Sequence, residues 1–348
     1  MKRIIAIVII AASLISASLL AFVLLTVQGI QEYTMSPQPE PEPTDPFFSG
    51  EEAPLDHGLL NVVASNTYIR DIYFHFARSR TVEPHVCIGA GVDPFTYEPS
   101  AEDEDKMLTA DLVLYMGLGL EPGIERLVEK VRGKVRCESL ASAILEEHRE
   151  MLIPSNDYES GYDPHFWWNP LAWEQAVLWA AHILSDVDEE NAYNYKSVFI
   201  HYGKSLHGYD SRWIGRWSRE IAEERRVLVT LHPAFEYFGS RYGYRVMSLY
   251  TPKSPRKVTA QRRSSVADYI VKNNVPAIFP EYGFPLTELE ALEAEVKKKG
   301  GSVIIAGPLY SYSLGSSGDD YLYVNVLNSM MRTIYDALKE PGDPDMPG

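Results

Sequence analysis

The apolar positions of this chain follow two periods that take turns. Leu59–Ser65, Val86–Gly89, Asp111–Tyr115 and Lys134–Cys137 are short, nearly continuous apolar runs. Runs of that length bounded by polar residues predict buried strands, and the Tyr68–Ser79 stretch after the first has helical spacing. From Leu171 the pattern turns helical. One apolar-faced helix is predicted over Leu171–Leu184, broken at Asp186–Asp188, and a second over Asn191–Glu224, which contains no proline. A helix of roughly 30 residues is about 45 Å long, more than the width of one small domain, and should touch two.

Beyond it the alternation resumes. Val227–Leu231, Arg245–Leu249, Ala277–Phe279 and Ser302–Ala306 read as strands, and Val266–Asn274, Leu286–Lys299 and Tyr321–Lys339 as helices. Strands alternating with helices imply parallel sheets with right-handed crossovers. The expected fold class is therefore α/β: two lobes, each a parallel sheet flanked by helices, joined by one long backbone helix. The expected divisions are a lobe over 51–190, a linking helix over 191–224, a lobe over 225–340 and a tail over 341–348.

The first 50 residues belong to neither period. Ile4–Val27 is uncharged and long enough to cross a bilayer, and Lys2 and Arg3 before it favour an inside N-terminus. Residues 1–28 are read as a transmembrane anchor or a signal segment, which places the body on the extracytoplasmic side. Residues 29–50 hold the run Ser36–Pro46, in which proline alternates with acid; this predicts a stiff, extended stalk.

The net charge of −16, from 32 basic and 48 acidic side chains, argues against a nucleic-acid partner. The two cysteines, Cys87 and Cys137, form no C-x-x-C pair. They fall on the second and fourth predicted strands, which are not neighbours in the common doubly wound order, so both thiols are expected free.

In open α/β sheets, ligands bind beyond the carboxyl ends of the strands. His232 directly follows one predicted strand, and Glu281 closely follows another. His165 lies in Asp163-Pro164-His165-Phe166-Trp167-Trp168-Asn169-Pro170, where prolines restrict the backbone on both sides of the ring and the placement suggests the mouth of a cleft. Two imidazoles and a carboxylate from three loops are a plausible set for zinc or manganese. No G-x-S-x-G, Walker A, H-E-x-x-H or strand-borne G-x-G-x-x-G occurs, so an enzyme is not expected.

Several stretches together resemble the solute-binding proteins of zinc/manganese ABC transporters. These are Asp93–Ser100, Ala110–Glu121, Asp163–Trp167, His232–Phe238 with Tyr242-Gly243, and Leu309–Gly315 followed by Tyr321. The resemblance implies two lobes bridged by a rigid helix, a metal between them, and delivery to a membrane permease powered by an ATPase. Four side chains usually hold the metal in that family, and His165 and His232 stand at two of those positions. At the other two this chain departs: Asp-Pro-His becomes Asp93-Pro94-Phe95, and Ser-Asp-Ser-Leu-Gly becomes Ser311-Tyr312-Ser313-Leu314-Gly315. Phe95 cannot ligate a metal, and Tyr312 would have to ionise from an ordinary pKa of about 10.

Two main readings are open. In the first, the cleft holds a divalent metal at an altered site of His165, His232 and Glu281. In the second, Phe95, Trp167, Trp168, Tyr282 and Tyr312 line an aromatic pocket for an organic ligand, or the chain is a non-transporting interaction module. A hydrolase using one imidazole with Glu281 is a distant third.

Overall fold

In the computed structural model, residues 59–76, 83–251 and 257–346 are described. The predicted membrane run, the stalk and part of the basic loop after Tyr250 lie outside the described residues. Within them, no helix is long and apolar enough to cross a membrane.

The first half holds a four-stranded parallel sheet of order β2-β1-β3-β4, with β1 at Val62–Asn66, β2 at His85–Ile88, β3 at Leu112–Tyr115 and β4 at Arg136–Ser139. All five residues of β1 are buried. Val62 and Ala64 join the main core, whereas Val63 packs with Cys87, Ile88, Val113 and Ile124 on the other side. A sheet covered on both faces has no use for polar alternation, which is why its strands read as continuous apolar runs. Cys87 and Cys137 lie on opposite edge strands and are free thiols, as expected.

The second half repeats the winding. β5 (Val227–Thr230) pairs in parallel with β6 (Arg245–Ser248), and β7 (Ala277–Ile278) with β8 (Ile304–Ile305). The Phe279 N–H donates to the Val229 carbonyl at 2.8 Å, which lays β7 along the free side of β5. The resulting order, β6-β5-β7-β8, is the order of the first sheet, although no repeat is visible in the sequence.

Between the halves the helix Pro170–Val187 packs against a longer one. Asn169 caps the first, its side chain accepting from the Leu171 N–H at 3.2 Å, with Pro170 in the first turn, where its missing N–H costs nothing. The longer helix runs Ala192–His207, passes through a π-helical turn at Gly208–Ile214 and ends as Gly215–Glu220. It stops at Glu220 rather than at the predicted Glu224, because Ile221 turns to extended backbone. The π turn places Asp210 where the Arg241 guanidinium and the Tyr242 hydroxyl both donate to it, which ties the helix to the second half. One continuous apolar core takes side chains from both halves, from Val62 through Trp173 to Leu338.

Candidate functional site

The segments that follow β2, β5, β7 and β8, together with the connection ahead of Pro170, converge on one buried cluster. His165 sits in a short loop whose backbone is held from two sides. The Asp163 N–H donates to the Ile153 carbonyl at 2.9 Å, and the Tyr237 hydroxyl donates to the Asp163 carbonyl at 2.7 Å. Asp163 Oδ1 accepts the His165 backbone N–H at 2.9 Å and faces His165 Nδ1 at 2.6 Å. The imidazole is thus oriented by its own loop, and its Nε2 is left buried without a partner. The ring is fully buried, not at the mouth of a cleft as its sequence context suggested.

His232 is built by the same device from a different part of the chain. Glu281 Oε1 accepts the backbone N–H groups of Leu231 and His232, both at 2.9 Å. This locks the loop after β7 to the loop after β5. Glu281 Oε2 then abuts His232 Nδ1, and neither atom, nor His232 Nε2, finds a hydrogen bond. Glu281 itself is fixed by a bridge to Leu309, with the Tyr282 N–H donating to the Leu309 carbonyl at 2.9 Å.

The two imidazole centroids lie 5.6 Å apart. With metal–nitrogen bonds of about 2.0–2.1 Å, two rings on one tetrahedral ion stand with centroids roughly 5 Å apart. The spacing therefore suits a shared ion. His165, His232 and Glu281, predicted from three separate loops, meet here. The other charged neighbour is Asp163, and the ion pairs of the two carboxylates are with these imidazoles. Two buried negative charges facing two imidazoles suit a divalent cation.

The remaining wall is aromatic. Tyr312 stands 4.1 Å from His232 and 5.7 Å from His165, centroid to centroid. Phe95 is 5.9 Å from both His165 and Tyr312. Phe95 and Tyr312 thus occupy the places that the resemblance assigned to them, beside the imidazoles. Trp167 packs 5.2 Å from His165 on its inner side. Trp168, expected to line the cleft, instead packs on Phe235 at 5.5 Å in the core. Tyr282, also expected there, turns away and stacks on Tyr310 at 4.8 Å. Burial of apolar area drives both displacements, since a large ring gains most where it is covered on all sides.

Two wall residues escaped the sequence reading. Phe284 stacks on His232 at 5.7 Å, and Tyr158 lies 6.2 Å from His165 and stacked on Phe95. Phe284 could have been found three positions after Glu281 on the same loop. Tyr158 carries no signal, being set in a polar turn. Burial and the nearby Asp163 carboxylate push its hydroxyl pKa upward, so it stays a neutral phenol.

A second group of ligand-type atoms, on His85, Cys87 and Asp103, lies within 4.8 Å of one another. Asp103 is already committed: it accepts from the Tyr97 hydroxyl at 2.7 Å, caps the helix Ala101–Leu108 with Ser100, and meets His85 Nε2 at 2.8 Å. Burial pushes the Cys87 thiol up, away from the thiolate a metal requires. This group is a helix cap.

The family described as zinc-uptake complex component A, periplasmic, matches residues 62–337. The chain belongs to that family. Among its relatives, the manganese-binding lipoprotein MntA of Bacillus subtilis is 31% identical, the match covering 80% of this chain and 90% of MntA. The zinc-binding protein TroA of Treponema pallidum is 31% identical over 84% of this chain and 92% of its own. The solved structure of that periplasmic zinc-binding protein superposes with a TM-score of 0.75 at 28% identity, covering 81% of this chain and all of the other. This zinc-uptake family is one of solute-binding transporter components and not of enzymes, so the hydrolase reading is set aside.

Proposed function

We propose that this protein is the extracytoplasmic metal-binding component of an ABC transporter. It holds a divalent zinc or manganese-class ion between its halves, through His165, His232 and Glu281, and hands it to a membrane permease driven by a cytoplasmic ATPase. The observation that carries this reading is the convergence of His165 Nε2, the His232 nitrogens and Glu281 Oε2, all buried and unpartnered, around imidazoles 5.6 Å apart. Buried polar atoms without partners are expensive, and a metal ion satisfies all of them together. Asp163 is the carboxylate that orients His165 from behind, the usual companion of a metal-bound imidazole.

The organic-ligand reading loses its support because the aromatic rings pack on one another and on the imidazoles, filling the space such a ligand would need. The tether is proposed as the apolar run Ile4–Val27 with its stalk, since neither cysteine lies near the N-terminus to carry a lipid. Calorimetry of the full-length protein in detergent, titrated with zinc and with manganese, tests the function. Saturable binding of one ion per chain that disappears in His165→Ala and His232→Ala is expected. No binding at millimolar metal removes the proposal.

A further inference from the structure

We infer that Phe95 and Tyr312 hold the ion to a four-coordinate shell and so tune this site for zinc against manganese. The inference rests on the metal reading above and concerns the size of the coordination sphere. The buried donors gathered at the site are two imidazoles and the free oxygen of Glu281. A two-histidine, one-carboxylate set with one water is an established tetrahedral zinc arrangement. Any further donor would have to enter through the wall.

That wall is closed by carbon. Phe95 and Tyr312 lie against His165, and Phe284 lies 5.7 Å from both His232 and Tyr312. Tyr158 seals the outer side by stacking on Phe95 with ring centroids 6.0 Å apart. His165 is fully buried and His232 only 5% exposed, so bulk water has no broad approach. Zinc, with a filled d shell, accepts four ligands at no ligand-field cost. Manganese favours six, mostly oxygen, and here would be left short of them.

Cobalt(II) reports the coordination number directly. A tetrahedral ion lacks an inversion centre and absorbs intensely in the visible, whereas a six-coordinate one absorbs weakly. The full-length protein in detergent is titrated with cobalt, and zinc and manganese affinities are measured by competition with a chelator. The intense, four-coordinate spectrum is expected. Phe95→His combined with Tyr312→Asp, which adds an imidazole and a carboxylate, should weaken that spectrum and reduce the zinc-to-manganese affinity ratio at least tenfold. Tyr312→Asp alone should move both in the same direction, and it serves if the double variant does not fold. A weak, six-coordinate cobalt spectrum in the unaltered protein overturns this inference while leaving the metal site standing, as does a ratio unmoved in folded variants. Failure to bind cobalt at all overturns the site together with it.

Discussion

Asp163 offers the sharpest perturbation of the proposed site, because its effect on the metal passes through one atom. Its Oδ1 accepts the His165 backbone N–H at 2.9 Å and faces Nδ1 at 2.6 Å. In Asp163→Asn the side-chain oxygen can still accept both, but without charge. A hydrogen bond to a charged group contributes about 1.5–3 kcal/mol and a neutral one about 0.5–1.5, so the loss is about 1–1.5 kcal/mol. That corresponds to roughly a tenfold fall in metal affinity. Asp163→Ala removes the acceptor altogether, frees the ring to rotate and leaves a buried N–H unpaired. Loss of an orienting partner of this kind costs about 10–100-fold, and the alanine variant should sit at the upper end. The assay is chelator competition at fixed pH and salt, with thermal unfolding of the metal-free proteins run alongside to separate lost affinity from lost fold. Tyr237→Phe, which releases the Asp163 carbonyl and the Ile153 N–H, should give a smaller loss of the same sign. If Asp163→Ala folds and binds metal within twofold of the parent, Asp163 does not orient a metal-bound imidazole and the proposed site is wrong.

Further outcomes concern the frame around the site. Asp210→Ala should destabilise the fold by about 2–4 kcal/mol in urea unfolding, since it strands the partly exposed Arg241 and the Tyr242 hydroxyl and loosens the π turn. Asp103→Ala should cost about 1–2 kcal/mol through loss of the helix cap. Burial by itself would raise the Asp103 carboxyl, but donors from His85, Tyr97 and Ser100 outweigh it and bring the pKa to about 2. Its stabilising effect is therefore present above the unfolded value of about 3.9 and is lost as pH falls toward 2, so the gap between parent and variant should close on acidification. Glu121 behaves oppositely. Buried behind Ser65 and Asn66, its carboxyl is pushed up to about 7 by desolvation. The stability it contributes is full below the unfolded value of about 4.3 and is lost as pH rises through 7. Glu121→Gln should flatten that part of the stability–pH curve, and carboxyl NMR should place the Glu121 midpoint near neutrality.

Much of this was legible because the strands that carry the site are buried on both faces. Continuous runs such as Val62–Ala64 and Val227–Val229 announce themselves, and residues just past their carboxyl ends become candidates by topology alone. His232 and Glu281 were found this way. His165 was found from the prolines around it, yet its depth was misjudged, because local sequence says nothing of what covers a loop from across the chain. The same limit misplaced Trp168 and Tyr282: an aromatic residue beside a site can face it, the core or a neighbouring ring, and only the packing decides. Tyr158 was invisible in a polar turn. The common winding of the two sheets was hidden because the pattern of apolar burial, not residue identity, is what the halves share.

The central claim is that His165 and His232 hold one ion jointly. The zinc-edge X-ray absorption spectrum of the zinc-loaded full-length protein tests it most directly. The account predicts two imidazole rings at a zinc–nitrogen distance of about 2.0–2.1 Å with oxygen completing the shell, falling to one ring in His232→Ala. A spectrum with fewer than two imidazoles in the parent protein, or one unchanged by that substitution, would contradict it.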